Sequence, residues 1–265
     1  MRLTKRVTLP SLFFFIMMLV PFLGGVTSAH DLWVTLENYD MKKAGSASLA
    51  VYNAHKFEAG EEDYLPADRL GQVFFITPDG QQVMGSSKSE GKYGPQKEFK
   101  KDGTYLAVAI PQNGYGTRTT EGYYLGKSKK DVSKAISCWY SEKFAKTVYA
   151  VRNPGGDSFS KVLGHSMEII PLKDPTTLKV GEMLPVKVLF EGQPLRTMVF
   201  GTYGGFTEAR DTFAYTTRTD IEGIAEIKLL HPGNWLLLVK HQEFYPDNEV
   251  CDNITKAASL TFNVK

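Results

Sequence analysis

The sequence predicts a mainly β protein of two β-sandwich, immunoglobulin-like domains, the first carrying a short helical insertion. Three observations predict it. Short apolar stretches with strand-like alternation recur along the 265 residues, turn residues separate them, and a single window has helical spacing. In chain order, strands are expected at 33–36, 47–52 and 73–76. The run Thr77-Pro78-Asp79-Gly80 is a turn, so 73–76 and 81–84 form a hairpin. A further strand is expected at 104–110, after the Asp102-Gly103 turn. Residues 111–127, rich in Gly, Thr and Tyr, read as a long loop. Val132, Ile136 and Tyr140 stand at helical spacing and predict a helix over 129–140. A strand at 144–151 follows, broken by Asn153-Pro154-Gly155-Gly156.

The pattern changes near 171–175, which sets expected domains at 30–172 and 173–265. The second half reads as six short strands at 184–190, 198–203, 213–218, 224–230, 235–240 and 257–264, with glycine- and proline-bearing turns between them. Residues 1–29 read as a secretory leader. Arg2, Lys5 and Arg6 precede an apolar run over 12–23, and Val26-Thr27-Ser28-Ala29 offers a small-residue cleavage site. The run is shorter than the roughly 20 apolar residues of a spanning helix. The expectation is export to the periplasm with no embedded segment after cleavage. Loss of three basic residues takes the formal charge from +2 to −1, which gives no electrostatic case for nucleic acid.

Two cysteines, Cys138 and Cys251, fit a disulfide in an oxidising compartment, with two buried thiols as the alternative. No nucleophile elbow, phosphate-binding glycine loop, His-Glu-x-x-His or Cys-x-x-Cys is present, and a non-enzymatic role is expected. The glycine-rich 201–205 has no helix after it and reads as a tight turn. Glu61-Glu62-Asp63 reads as a solvated charge run.

Five histidines remain: His30, His55, His165, His231 and His241. Cleavage after Ala29 makes His30 the first residue. It then offers its imidazole and a free α-amine of reference pKa about 7.7–8.0, from which a metal displaces the proton. His55, His165 and His241 stand at strand ends, where a rigid scaffold presents ligands. His231, before Pro232, reads as surface. Asp63 is a candidate to add an oxygen ligand or orient an imidazole. Nitrogen donors of this kind suit Ni, Co, Cu or Zn. The rival reading rests on Tyr115, Tyr123, Tyr124, Trp139 and Tyr140, aromatics suited to stacking on a carbohydrate or partner protein. A redox copper enzyme ranks third, because no substrate surface is legible.

The words Ala29-His30-Asp31-Leu32-Trp33-Val34, His55-Lys56-Phe57, Asp63-Tyr64-Leu65-Pro66-Ala67-Asp68-Arg69-Leu70, Thr119-Thr120-Glu121-Gly122-Tyr123, Ser137-Cys138-Trp139-Tyr140-Ser141, Gly164-His165-Ser166-Met167-Glu168-Ile169 and Lys179-Val180-Gly181 span nearly all of the mature chain. In them the chain resembles the family of periplasmic components of cobalt and nickel ABC-type transport, a domain-of-unknown-function family of exported β proteins. The resemblance implies capture of a divalent transition metal, nickel or cobalt first, for handover to a membrane transporter. It maps the family's histidines onto His30, His55, His165 and His241. This sequence departs from the pattern in the Asn53-Ala54 that precedes His55, and it carries no long His-rich tract.

Overall fold

The computed structural model describes residues 30–41 and 47–265; the expected leader lies outside them. Among the described residues eighteen strands follow in order. The first nine are β1 (Asp31–Leu36), β2 (Asp40–Met41), β3 (Leu49–Ala54), β4 (Leu70–Ile76), β5 (Gln82–Ser89), β6 (Lys92–Pro95), β7 (Gly103–Pro111), β8 (Gly114–Thr119) and β9 (Tyr123–Leu125). The rest are β10 (Ala135–Val151), β11 (Met167–Pro171), β12 (Met183–Phe190), β13 (Gln193–Pro194), β14 (Met198–Tyr203), β15 (Tyr215–Arg218), β16 (Ile224–Lys228), β17 (Gly233–Phe244) and β18 (Asn253–Val264). The helices among the described residues are single 3-10 turns, none long and apolar enough to cross a membrane.

The strands form three layers. The middle sheet runs β5-β4-β7-β10-β18-β17-β14-β15. One outer layer is β1-β3-β6-β5, and the other is β11-β12-β13 with β16 beside β12. β5 turns the corner between two layers: residues 82–84 pair with β4, and residues 85–89 pair with β6. Two cores result. Phe74, Leu106, Phe144, Val148, Leu237 and Leu260 face Met167, Ile169, Val186 and Ile227 of the four-stranded sheet. Phe75, Ala107, Ala145 and Tyr149 face Leu32, Val34, Leu49 and Val51 on the opposite side. The middle sheet is thus buried on both faces. This is why 105–110 and 235–239 are unbroken apolar runs rather than alternating ones.

The 73–76/81–84 hairpin forms, with Ile76 opposite Gln82 and the Thr77 amide donating to Gln81 O. The expected boundary at 172/173 falls between β11 and β12, which pair with each other from Met167↔Phe190 to Pro171↔Val186. Strand pairing also crosses it, because β10 lies beside β18.

Two expectations are corrected. Residues 129–140 are not a helix: a single 3-10 turn, Lys129–Asp131, precedes β10. Val, Ile, Trp and Tyr there favour a pleated surface, and β8 and β18 supply partner edges on both sides. Ile136, the centre of the supposed helical face, is exposed. Residues 111–127 are not one loop, since β8 and β9 form a hairpin on β10. Their glycines weaken strand propensity, but Gly116 is required where it stands. A Cβ there would lie 2.1 Å from Tyr123 Oη and 2.9 Å from the Trp139 ring.

β10 is the spine. Along one edge it pairs antiparallel with β8 and then β7, and along the other it pairs parallel with β18 over Trp139–Thr147. Cys138 and Cys251 are joined by a disulfide at the start of that parallel pair, and Asp252 Oδ2 accepts from the Cys138 amide at 2.7 Å. Lys129 pairs with Asp252 as well. Between the sheets, Lys146 of β10 forms an ion pair with Glu168 of β11, both almost fully buried. Glu168 also accepts from the amides of Leu163 and His165, which satisfies the oxygens that a buried pair must not leave bare.

The disulfide closes a loop of 113 residues. Cys138→Ser with Cys251→Ser is expected to lower stability by about 4–5 kcal/mol on the chain-entropy account. Urea denaturation of oxidised wild type against the double variant measures it.

Candidate metal-binding site

β1 and β3 pair antiparallel with Asp31 opposite Ala54. His30 precedes Asp31 and His55 follows Ala54, so the same register brings two histidines 25 positions apart to face each other. Their ring centroids lie 4.2 Å apart. Ala54, next to His55, belongs to a small buried apolar cluster with Trp33 and Leu236.

Charged groups hold the strand ends. Lys143 of β10 donates to His30 O at 2.6 Å and to Asn53 Oδ1 at 3.0 Å. Burial lowers its pKa to about 8, opposed by nearby Asp31. Asp31 pairs with Lys240 at 2.7 Å; burial of its carboxyl nonetheless raises its pKa. His30 has its pKa lowered first by burial, then by His55 and Lys143, while Asp63 works in the opposite direction. The neutral imidazole, the form that binds metal, is therefore favoured at His30.

His55 Nδ1 is buried without a hydrogen-bond partner. Asp211 Oδ1 stands 3.9 Å from it, beyond hydrogen-bond reach. A cavity of about 20 Å³, room for about one water molecule, lies beside the ring between Asp31, Thr202 and Thr212.

The other two candidate histidines lie elsewhere, and β10 and β17 explain why. Successive strand residues point to opposite faces. Lys143 meets His30, whereas Phe144 stacks on His165 at 4.6 Å. Lys240 meets Asp31, whereas His241 packs edge-on against Phe190 of the four-stranded sheet at 4.5 Å. The middle sheet therefore separates His165 and His241 from His30 and His55. Among the described residues no three His, Cys, Asp or Glu side chains gather in a metal-holding group. Two imidazoles meet, and Asp63 lies close enough to act electrostatically on His30. Sequence reasoning missed Asp31, Asn53, Lys143, Asp211 and Lys240. No local signal marks them, because each reaches the site from a different element.

The aromatic candidates also divide by face. Tyr115 hydrogen-bonds Tyr245 at 2.7 Å and packs on Tyr140. Tyr123, 48% exposed as a residue, stacks on Trp139 at 5.1 Å and 11°. Trp139 and Lys143 are both odd positions of β10, so this stack and the His30 end of β1 share one face.

The fold and site define a three-layered β protein with a histidine pair where the ends of β1 and β3 meet. The chain belongs to the family described as Domain of unknown function (DUF4198), whose match covers residues 27–243. No curated protein matches it. Among solved structures it is similar to the D0-D1 domain of Intimin at 15% identity and a TM-score of 0.22, over 89% of this chain and 100% of that one. A Salmonella alpha-2-macroglobulin mutant aligns at 10% identity and a TM-score of 0.24, over 90% of this chain and 15% of that one.

His165 has its pKa lowered to about 4, first by burial and then by the Lys146 ammonium. The unfolded chain binds a proton on this ring near pH 6.5, the folded chain only near 4. Stability is therefore whole above pH 6.5 and is lost as pH falls toward 4, by up to about 1.4 kcal/mol per unit from this group. Urea midpoints between pH 7 and 5 are expected to fall in wild type and to flatten in His165→Phe.

Proposed function

We propose that this protein is an exported, non-enzymatic binder of a divalent transition metal, nickel or cobalt first and copper or zinc next, which it holds for a membrane transporter. The ligands are the imidazoles of His30 and His55, with the α-amine of His30 once the leader is removed after Ala29. The single observation that supports this most is the facing of these two rings at 4.2 Å on adjacent strand ends. Two others agree with it. His30 is biased toward its neutral form, and His55 carries a buried ring nitrogen with no hydrogen-bond partner, the kind of atom whose burial costs free energy until it is satisfied. Three neutral nitrogen donors suit Ni, Cu, Co or Zn more than the hard oxygen-seeking cations. His165 and His241 have no part in this site. Their exclusion departs from the four-histidine set that the resemblance implied.

The test is intact mass with metal analysis on protein exported in its native form, followed by titration of variants. A chain starting at His30 with one bound metal is expected. His30→Ala, His55→Ala or one extra residue before His30 should each lose most of the affinity, and His241→Ala should lose none. Binding should weaken below about pH 6.5 as imidazoles protonate. Equal affinity with a blocked amine would exclude the terminal chelate.

A second reading is favoured by one observation, the exposed face of Tyr123 stacked on Trp139. This pair would serve as a platform for a carbohydrate or a partner protein. On that reading Tyr123→Ala abolishes retention on an immobilised polysaccharide while His55→Ala leaves it unchanged; the reverse pattern rejects it.

A further inference from the structure

The connection from β14 to β15 spans eleven residues, 204–214, where hairpin loops usually have two to five. It is fastened at two points to the segment that carries His55. The Asp211 amide donates to His55 O at 3.2 Å, and Glu208 pairs with Lys56 at 2.5 Å. Asp211 has a φ of +50°. That left-handed conformation is uncommon for a residue other than glycine, and such outliers cluster at functional sites. The same residue brings its carboxylate to 3.9 Å from His55 Nδ1, the ring nitrogen that is buried and unsatisfied.

Metal-ligating histidines characteristically donate their second ring N–H to a carboxylate, which fixes the tautomer, orients the ring and raises its basicity as a ligand. Resting on the metal reading above, we propose that Asp211 is the positioning residue for His55. Its carboxylate accepts a hydrogen bond from the Nδ1–H and leaves Nε2 for the metal. The gap of 3.9 Å is about 1 Å longer than a hydrogen bond, a distance that a small movement of the 204–214 strap closes. The strap thereby couples metal binding to the edge of the middle sheet. Other charged groups near the pair have separate tasks: Lys143 holds His30 O, Lys240 holds Asp31, and Lys56 holds Glu208.

The experiment compares processed wild type with Asp211→Ala, Asp211→Asn and Asp211→Glu. Long-range ¹⁵N NMR of the imidazoles reads the His55 tautomer in metal-free protein. Calorimetric titration with Ni²⁺, Co²⁺, Cu²⁺ and Zn²⁺ reads affinity. Wild type is expected to hold His55 with its proton on Nδ1. Asp211→Ala should lose that preference and weaken binding about 10–100-fold, with Asp211→Glu recovering part of the loss. Asp211→Asn keeps the side-chain shape, so a weakened Asp211→Asn points to the charge rather than to the fold of the strap. Unchanged affinity in Asp211→Ala overturns the proposal whatever the tautomer does. A wild type that takes up none of the four metals overturns the metal reading itself and this role with it, a result distinct from a failure of Asp211 alone.

Discussion

The parallel pairing of β10 with β18 is the constraint on which the rest of the molecule depends. It joins a strand from the middle of the chain to the last strand, with the Cys138–Cys251 bridge at its start. Because β10 from Phe144 and β18 from Ala257 are buried on both faces, each has to serve two cores at once. The even positions Phe144 and Val148 of β10 and Ala258, Leu260 and Phe262 of β18 meet the four-stranded sheet. On the other face Thr261 donates to Val34 O and Tyr39 Oη bonds Thr147, which ties β1 down onto the pair. A slip of one residue in this register would exchange the two faces. It would break the Lys146–Glu168 pair and the Lys143–His30 contact together.

That alternation also decides the chemistry. Lys143 and Phe144 are neighbours in sequence and sit in different compartments. Near Lys143 the chain gathers polar groups around His30 and His55; near Phe144 it surrounds His165 with an apolar ring and a buried ammonium. His165, on the second side, has its pKa lowered by burial and by the Lys146 ammonium. His30, on the first side, has its pKa lowered by burial while standing opposite the His55 imidazole.

Parts of this were legible in the residues and parts were not. The 73–84 hairpin was legible because Pro78-Asp79-Gly80 specifies a turn between two apolar runs. The strands 184–190, 198–203 and 235–240 were legible for the same kind of reason. The segment 129–140 was misread because Val132, Ile136 and Tyr140 match a helical period by chance of spacing, and only the edges of β8 and β18 make it a strand. The segment 111–127 was misread because its glycines look like breakers. In fact one of them clears room for the Tyr123–Trp139 stack. His30 stood out in the sequence as the expected mature terminus and His55 as a strand-end histidine, whereas His165 and His241, equally prominent there, belong to the other face.

Local chemistry along the chain was enough to give the β class, most of the turns, the leader pattern and the histidines worth weighing, since each rests on contacts between near neighbours. Which histidines meet, and which charged groups surround them, came only with the tertiary structure. His30 and His55 converge through strand register, and Lys143, Asp211 and Lys240 arrive from β10, the 204–214 connection and β17. No local rule encodes such convergence, because it is set by how the strand order folds one sheet over another.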